Sequence, residues 1–144
     1  MIIAANLGFP RIGKSRELKT ALESCWKGAT GTDALAATAA SLRARHWVAQ
    51  SKAGIGHIPS NDFSLYDSML DSIALLGAVP ERFGHDGGAV TPELYFAMAR
   101  GTKNAPAMEM TKWFDTNYHY IVPELSAATH FAQSSTKPLD EYNE

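Results

Sequence analysis

The sequence predicts a parallel α/β fold for a chain of 144 residues. Two short apolar runs, residues 2–7 and 55–59, are each followed by a loop and then by a helix with the apolar period of an amphipathic helix. Strands that alternate with such helices form parallel sheets, and these sheets bind ligands on the loops at the carboxyl ends of their strands. We therefore expect the loops at 8–14, 60–62 and 112–119 to share one rim.

The first run and the first helix follow each other closely. Residues 2–7 are almost entirely apolar, which suits a strand buried on both faces of a sheet. Ser15 is the predicted N-cap of the first helix and Gly28 is its stop. Arg16 and Lys19 are three residues apart, so we expect them to share a face in the first turn. The predicted core face of this helix consists of Leu18, Ala21, Leu22 and Cys25.

The second and third helices are predicted in the same way. Thr32 can cap an alanine-rich helix that Gly54 ends, with a buried face of Leu35, Ala39, Leu42, His46 and Ala49. The strand at 55–59 then leads through a polar loop, residues 60–62, into a third helix. The apolar stripe predicted for that helix is Leu65, Met69, Ile73 and Leu76.

The second half of the chain has one strong helix start. Thr91, Pro92 and Glu93 supply a cap, a proline at the first position and an acid in the first turn, and Gly101 ends the helix. Its predicted core face includes Leu94, Ala97 and Met98. Residues 108–113 are expected to be extended, and residues 137–144 resemble the beginning of a further helix.

Composition restricts the class of protein. The chain is 45 % hydrophobic and 19 % charged, as in ordinary soluble domains, and its formal net charge of −2 argues against a nucleic-acid partner. No apolar run is long enough for a membrane span, and the apolar start is too short for a signal peptide, so a cytoplasmic location is expected. The single cysteine, Cys25, excludes a disulfide within the chain and is expected to be a buried thiol.

Four cations form a basic cluster just before and within the start of the first helix: Arg11, Lys14, Arg16 and Lys19. Unpaired N–H groups and the macrodipole make a helix start electropositive, so cations there are unfavourable unless an anion binds among them. Glu17 is the only acid in the stretch. Lys112 can join the cluster if it lies on the same rim. The alternative is a solvated basic face, and spacing alone does not decide between the two.

Other candidate sites are weaker. The five histidines lack the spacing of metal ligands on one helix, and no phosphate-binding glycine motif or nucleophile motif is present. Asp62 and Asp67 are either a carboxylate pair or a turn residue and a helix-start acid. Three aromatic residues can stack on a flat heterocycle or belong to the core, and these are Trp113, Tyr118 and Tyr120.

Several ungapped blocks closely resemble the amino-terminal region of cobalamin-independent methionine synthases. The blocks are Leu-Gly-Phe-Pro-Arg-Ile-Gly at 7–13, Arg-Glu-Leu-Lys at 16–19, Leu-Arg-Ala-Arg-His-Trp at 42–47, Asp-Phe-Ser-Leu-Tyr-Asp at 62–67 and Glu-Met-Thr-Lys-Trp-Phe-Asp-Thr-Asn-Tyr-His-Tyr at 109–120. The resemblance implies methyl transfer from 5-methyltetrahydropteroyltriglutamate to homocysteine without cobalamin. It also implies two TIM (β/α)8 barrels, with zinc and homocysteine in the second barrel and the folate between the two.

The resemblance assigns a binding role to five residues. Arg16, Glu17, Leu18 and Lys19 match the folate-binding segment of the family, and Lys112 matches its other amino-terminal folate contact. The chain departs from the family at Ser60-Asn61, which affects the contacts of that loop. The resemblance assigns no role to Arg11, Lys14, Asp62 and His119.

The length limits what this chain can do. A TIM barrel takes about 250 residues, so residues 1–144 correspond to about the first three β/α units of the first barrel, a partial domain. The zinc ligands and the homocysteine site are then outside the chain, which is expected to be inactive alone. An open barrel edge is expected to cause association or swapping. The alternative is a standalone, non-catalytic module that binds anions or folate or interacts with another protein.

Overall fold

The computed structural model describes residues 2–144. Within this part of the chain it has five α-helices, one 3₁₀ turn and one two-stranded sheet, which confirms the α/β class. The chain divides into two compact units, Met1–Leu65 and Tyr66–Glu144.

The first unit is built on two helices, α1 (Glu17–Trp26) and α2 (Thr32–Lys52), which pack against each other. Burial of apolar side chains along facing stripes stabilises such a pair. The buried apolar side chains of the unit are those of Leu18, Leu22, Leu35, Ala39, Leu42 and Phe63. In the predicted core face of α1, Leu18 and Leu22 are confirmed, whereas Ala21 and Cys25 are only half-buried. In that of α2, Leu35, Ala39, Leu42 and His46 are confirmed.

Helix α1 begins one residue later than predicted and ends as predicted. Its N-cap is Arg16, with φ 62° and ψ 31°, and not Ser15. The Ser15 amide instead donates to the Glu17 carboxylate at 2.8 Å, so the side chain at the first helical position satisfies the turn before it. At the other end Gly28 has φ 71°, and its amide donates to the Cys25 carbonyl at 2.9 Å, which completes a left-handed C-terminal cap.

Helix α2 differs from the prediction in its N-cap and in the last residue of its buried face. Gly31, not Thr32, is the N-cap, and Gln50, not Ala49, is buried near the carboxyl end. Position 50 continues the four-residue step from His46, and its polar side chain is satisfied there. Gln50 accepts a 2.7 Å hydrogen bond from the Asn6 side chain and donates to the His46 carbonyl at 3.2 Å. A hydrogen-bonded amide can therefore take a core position.

The two predicted parallel strands are reduced to one parallel bridge between Ala5 and His57. The parallel direction is as predicted, but the burial is not, because Ile2 is 100 % exposed and Leu7 is 99 % exposed. A parallel strand is buried when it has neighbours at its edges and helices on its faces. Residues 2–7 share a single bridge with the segment at 55–59, which leaves their apolar side chains uncovered.

The second unit contains α3 (Ser68–Leu75), α4 (Pro92–Arg100), α5 (Lys137–Asn143) and a 3₁₀ turn at Glu81–Phe83. It also contains a hairpin in which β1 (Met110–Lys112) pairs antiparallel with β2 (His119–Ile121), with Thr111 opposite Tyr120. The predicted extended segment is confirmed, but its sheet is antiparallel. Residues 113–118 are too few for a parallel crossover, which needs about a dozen residues.

The helices of this unit confirm the predictions unevenly. The side chain of Thr91 caps α4 by accepting from the Leu94 amide at 3.3 Å, and Gly101, with φ 74°, ends the helix as predicted. Of its predicted core face, Met98 is fully buried, whereas Leu94 and Ala97 are only half-buried. Helix α5 begins at Lys137, within the predicted segment. For α3 the predicted stripe is confirmed only at Ile73: the buried residues are Leu70, Ile73 and Ala74, while Leu65 and Met69 are half-buried and Leu76 is 47 % exposed.

The register of α3 depends on Asp67, a buried carboxylate that caps the helix. One of its oxygens accepts from the amides of Met69 at 2.7 Å and Leu70 at 3.2 Å, and the other accepts from the amide of Ile121 at 3.2 Å. Burial raises the pKa of Asp67, and these three amides oppose that rise. The interpretation of Asp67 as a helix-start acid is thus confirmed, and one side chain joins α3 to the hairpin.

We expect Asp67→Ala to lower the free energy of unfolding by about 2–4 kcal/mol, because a helix loses its cap and the Ile121 amide loses the carboxylate that accepts from it. Urea denaturation followed by circular dichroism measures the change. Asp33→Ala, which removes an exposed acid from the first turn of α2, is the matched control and should change the free energy by less than about 0.5 kcal/mol. Equal losses in the two variants would contradict the role given to Asp67.

Candidate anion-binding site

The basic cluster lies where the turn at 8–16 enters α1. The side chains of Lys14, Arg16 and Lys19 are exposed. Arg11 is half-buried, and its guanidinium donates to the Leu65 carbonyl at 3.3 Å. Arg11 therefore holds the turn in place, which gives it a structural contact that the sequence left open.

Arg16 occupies a strained backbone position immediately before the helix. Its φ of 62° is in the left-handed region, which costs a non-glycine residue about 1–3 kcal/mol. Its amide donates to the Gly13 carbonyl at 3.2 Å, and its carbonyl accepts from the Thr20 amide at 3.1 Å. The prediction that Arg16 and Lys19 share a face within the first turn is wrong, because only Lys19 is helical. Arg16 is the N-cap of α1 and lies outside the helix.

Lys19 makes a weak surface contact with Glu23. Its ammonium nitrogen is 3.7 Å from a carboxylate oxygen of Glu23, one turn along α1, and the two side chains are 51 % and 47 % exposed. An exposed pair of this kind contributes about 0–1 kcal/mol. An anion with several carboxylates can therefore replace Glu23 as the partner of Lys19 at little cost.

The carboxylate of Glu17 binds two groups, a guanidinium on α2 and a backbone amide in the turn. One carboxylate oxygen is 2.7 Å from a guanidinium nitrogen of Arg45 on α2, and the other accepts from the Ser15 amide at 2.8 Å. The hydrogen bond from Arg45 is the largest cause that lowers the pKa of Glu17 to about 2. Because the pKa is depressed in the folded state, this contribution to stability is complete above the ordinary value of 4.5 and is lost as pH falls toward 2.

Leu18 contributes packing at this site. Its side chain is fully buried, and its amide donates to the Ile12 carbonyl at 3.2 Å. Neither group is open to solvent in this structure. Leu18 thus anchors the helix start to the turn that carries the cations.

The loop at 60–62 lies against the turn at 8–14, as predicted for a shared rim. The Phe9 amide donates to the Asp62 carboxylate at 2.8 Å, and a Cβ at Gly8 would come within 3.0 Å of the same carboxylate oxygen. Asp62 therefore ties the two loops together. The third loop, residues 112–119, belongs to the second unit, and its place on this rim stays a prediction.

Lys112 is the last residue of β1, opposite His119, and its side chain is exposed. Its nearness to Arg16 and Lys19 likewise stays a prediction. Beyond it, Trp113 and Tyr118 are about half exposed, at 49 % and 46 %, so the interpretation of these two as core residues is wrong. They lie at the ends of a hairpin loop, and Trp113 packs edge-on against Tyr120 with ring centroids 5.6 Å apart.

Metal binding finds no support in the part of the chain that the structure describes. Residues 2–144 bring together no group of three or more histidine, cysteine, aspartate or glutamate side chains that could hold a metal ion. His46 is buried and stacks on Phe9 with ring centroids 4.5 Å apart, and burial lowers its pKa. Within the same residues, none of the helices combines the length and the apolar character needed to cross a membrane.

Sequence reasoning missed two residues that support the turn. Arg45 lies three residues after the buried Leu42 on α2, so its side chain projects from the edge of the packed face toward α1. That spacing was a signal for a contact between the helices. Gly13 has φ 86°, and no pattern in the sequence indicated that its missing side chain leaves room for the Glu17 carboxylate.

Comparison with known proteins supports the family suggested by these residues. The family model described as "Cobalamin-independent synthase, N-terminal domain" matches residues 3–144.

Three relatives are named 5-methyltetrahydropteroyltriglutamate–homocysteine methyltransferase, the last of them with the suffix 2. The protein of Nitrosomonas europaea is 60 % identical over 136 residues, which cover 94 % of this chain and 18 % of the relative. The protein of Salinibacter ruber is 55 % identical over 153 residues, covering 100 % of the chain and 20 % of the relative. The Arabidopsis thaliana protein is 54 % identical over 138 residues, covering 96 % and 18 %.

The chain thus spans about a fifth of the length of the curated relatives it matches. The match of the family model covers nearly all of its residues. This chain belongs to the cobalamin-independent methionine synthase family, in which it matches the N-terminal domain.

Proposed function

We propose that this chain is the amino-terminal part of a methyltransferase that transfers the methyl group of 5-methyltetrahydropteroyltriglutamate to homocysteine. Its role in that reaction is to bind the folate and its polyglutamate tail, and it has no activity alone. The names of the relatives supply the reaction and its two substrates. The small share of their length that this chain covers supports a role in binding only.

One observation carries the tail-binding role: the exposed cations at the start of α1 are not neutralised by the acid among them. Glu17 is paired with Arg45 at 2.7 Å, so the positive charge of Arg16 and Lys19 is available to a ligand. A triglutamate tail carries several carboxylates. Charge-assisted hydrogen bonds from Arg and Lys, together with the positive end of the helix, suit such a ligand.

The proposed architecture is a partial TIM barrel. Residues 1–144 form about its first three β/α units, since a complete barrel takes about 250 residues. The parallel bridge between Ala5 and His57 and the exposed side chains of Ile2 and Leu7 support this arrangement, because strands of an open barrel lack their outer neighbours. Homocysteine and zinc bind residues outside this chain, and the family description excludes cobalamin.

Within the reaction, the chain contributes positioning. Arg16, Lys19 and Lys112 hold the tail, and Leu18 and Glu17 hold the turn that carries the first two. Fixing the substrate by a group remote from the reacting atoms raises the rate because the methyl donor is already oriented when the thiol attacks. No proton transfer or bond cleavage is assigned to a residue of this chain.

A standalone binding module is the second candidate, favoured by the completeness of the basic turn within the first unit. Arg16, Lys19 and the supporting pair of Glu17 with Arg45 all belong to residues 1–65. The length of the encoded protein distinguishes the two candidates. A reading frame that ends after Glu144, with a folded monomeric product that binds the folate, would favour the module.

We expect Lys19→Ala and Lys112→Ala each to weaken binding of 5-methyltetrahydropteroyltriglutamate by about 1–3 kcal/mol, the size of a charge-assisted hydrogen bond. Isothermal titration of the intact encoded protein measures the affinity. The monoglutamate should lose much less, because it lacks the outer carboxylates.

Two exposed lysines serve as matched controls for these substitutions. Lys27→Ala, at the far end of α1, removes a similar charge from the unit that contains Lys19, and Lys103→Ala, in the loop before β1, does so in the unit that contains Lys112. Neither should change the affinity. Unchanged affinity in Lys19→Ala and Lys112→Ala, or an equal loss with the monoglutamate, would sink the assignment of the tail contacts.

We also expect the 144-residue chain, produced by itself, to self-associate through the apolar edge at residues 2–7. Size-exclusion chromatography with light scattering should give a mass above that of the monomer. Leu7→Lys should shift the population toward monomer, whereas Val48→Lys, at a 52 % exposed position on α2, should not. A monomeric wild-type chain would count against the open barrel edge.

A further inference from the structure

We propose that Arg45 is a positioning residue of the anion site, which acts through Glu17 to hold the turn that presents Arg16 and Lys19. This inference rests on the proposed function, because it concerns the same tail-binding turn. It assigns a role to a residue on α2, 26 positions after Lys19 in the sequence, that does not itself need to touch the ligand.

The Glu17 carboxylate joins two parts of the molecule. One of its oxygens is 2.7 Å from the Arg45 guanidinium on α2, and the other accepts from the Ser15 amide at 2.8 Å in the turn. A carboxylate fixed at both oxygens cannot rotate freely. The Glu17 side chain therefore ties the turn before α1 to α2.

The backbone of Arg16 needs such a tie. It lies between Ser15 and Glu17, the two residues joined by the carboxylate, and it has φ 62°. A left-handed conformation at a residue with a Cβ persists only where the surrounding contacts fix it. The tie on both sides of Arg16 thus keeps its exposed side chain at the positive end of the helix.

Gly13 provides the space for this carboxylate. A Cβ at position 13 would lie 2.2 Å from the Glu17 oxygen that accepts from Ser15, and 2.9 Å from a methyl carbon of Leu42. The φ of 86° also favours glycine. Any larger residue at position 13 must displace the carboxylate from its place between Arg45 and Ser15.

The pair also sets the charge that a ligand meets. While Arg45 holds Glu17, the acid is drawn toward α2, and the charges of Arg16 and Lys19 are not offset by it. Without Arg45, the Glu17 carboxylate is free to pair with the neighbouring cations and to repel the carboxylates of a tail. The depressed pKa of Glu17, about 2, is consistent with close pairing to Arg45.

The test compares Arg45→Ala and Arg45→Lys in the intact encoded protein, with Lys52→Ala at the exposed end of α2 as the matched control. We expect Arg45→Ala to weaken binding of 5-methyltetrahydropteroyltriglutamate about fivefold to tenfold, the usual size of coupling between contacting residues, with the monoglutamate changed less than about twofold. Arg45→Lys should restore part of the affinity because it keeps the charge. Lys52→Ala should bind as the wild type does.

A second readout separates positioning from a general effect on stability. In carbon-13 NMR titrations, the pKa of the Glu17 carboxyl should rise in Arg45→Ala and stay in place in Lys52→Ala. The substitution Glu17→Gln should lower the affinity for the triglutamate, and the double variant Glu17→Gln/Arg45→Ala should lose no more than Arg45→Ala alone. Additive losses would mean that Arg45 acts independently of Glu17 and would overturn the inference.

Gly13→Ala and Gly28→Ala form a further matched pair. Both glycines have positive φ, 86° and 71°, but a Cβ at Gly28 meets nothing within 4 Å. If the carboxylate positions the turn, only Gly13→Ala should abolish the preference for the triglutamate over the monoglutamate. An equal loss of this preference in both variants would mean that backbone strain causes it, and would contradict the role given to the carboxylate.

The outcomes distinguish this inference from the proposed function. A wild-type protein that binds the triglutamate and the monoglutamate equally overturns both. A wild-type protein that prefers the triglutamate, with the preference intact in Arg45→Ala, overturns the positioning role and leaves the tail-binding function standing.

Discussion

The first unit depends on one carboxylate, that of Glu17, which occupies the junction of a turn and two helices. Its oxygens are shared between Arg45 on α2 and the Ser15 amide, and it lies where Gly13 leaves room for it. A helix start has unpaired amides and a partial positive charge, and an acid at the first position satisfies both. Here the same acid also fixes the loop before the helix, so local capping and tertiary packing use one group.

This arrangement explains how a helix start with several cations can be stable before any ligand binds. Cations near the amino end of a helix oppose the macrodipole. The structure reduces that cost by placing Arg16 just outside the helix, by giving Lys19 an exposed partner in Glu23, and by pointing Arg11 at the Leu65 carbonyl. The remaining positive charge faces solvent at a place where neighbouring backbone is firmly held, which is what an anion site requires.

Local signals predicted the helices well and the sheet poorly, for a physical reason. A threonine or aspartate cap and a glycine stop act within a few residues, so Thr91, Gly28 and Gly101 marked real helix ends. The segment at 2–7 forms a strand only where other strands pair with it, and its own sequence does not show whether those partners are present. The pair of Glu17 and Arg45 joins residues 28 positions apart, and the periodicity of α2 alone gives no partner for an arginine at its edge. The hairpin is antiparallel because residues 113–118 are too few for a parallel crossover, and this loop length is defined only once β2 is known.

The uncovered apolar side chains of Ile2 and Leu7 have a consequence for synthesis on the ribosome. In a protein as long as the relatives, an N-terminal domain leaves the exit tunnel before the later part of the chain, and translation at about 5–20 residues per second takes tens of seconds to supply that part. During that interval α1 and α2 can already pack, since their contacts are close in sequence, while the edge at residues 2–7 waits for its neighbours. Transiently exposed apolar surface of this kind favours aggregation until its neighbours arrive.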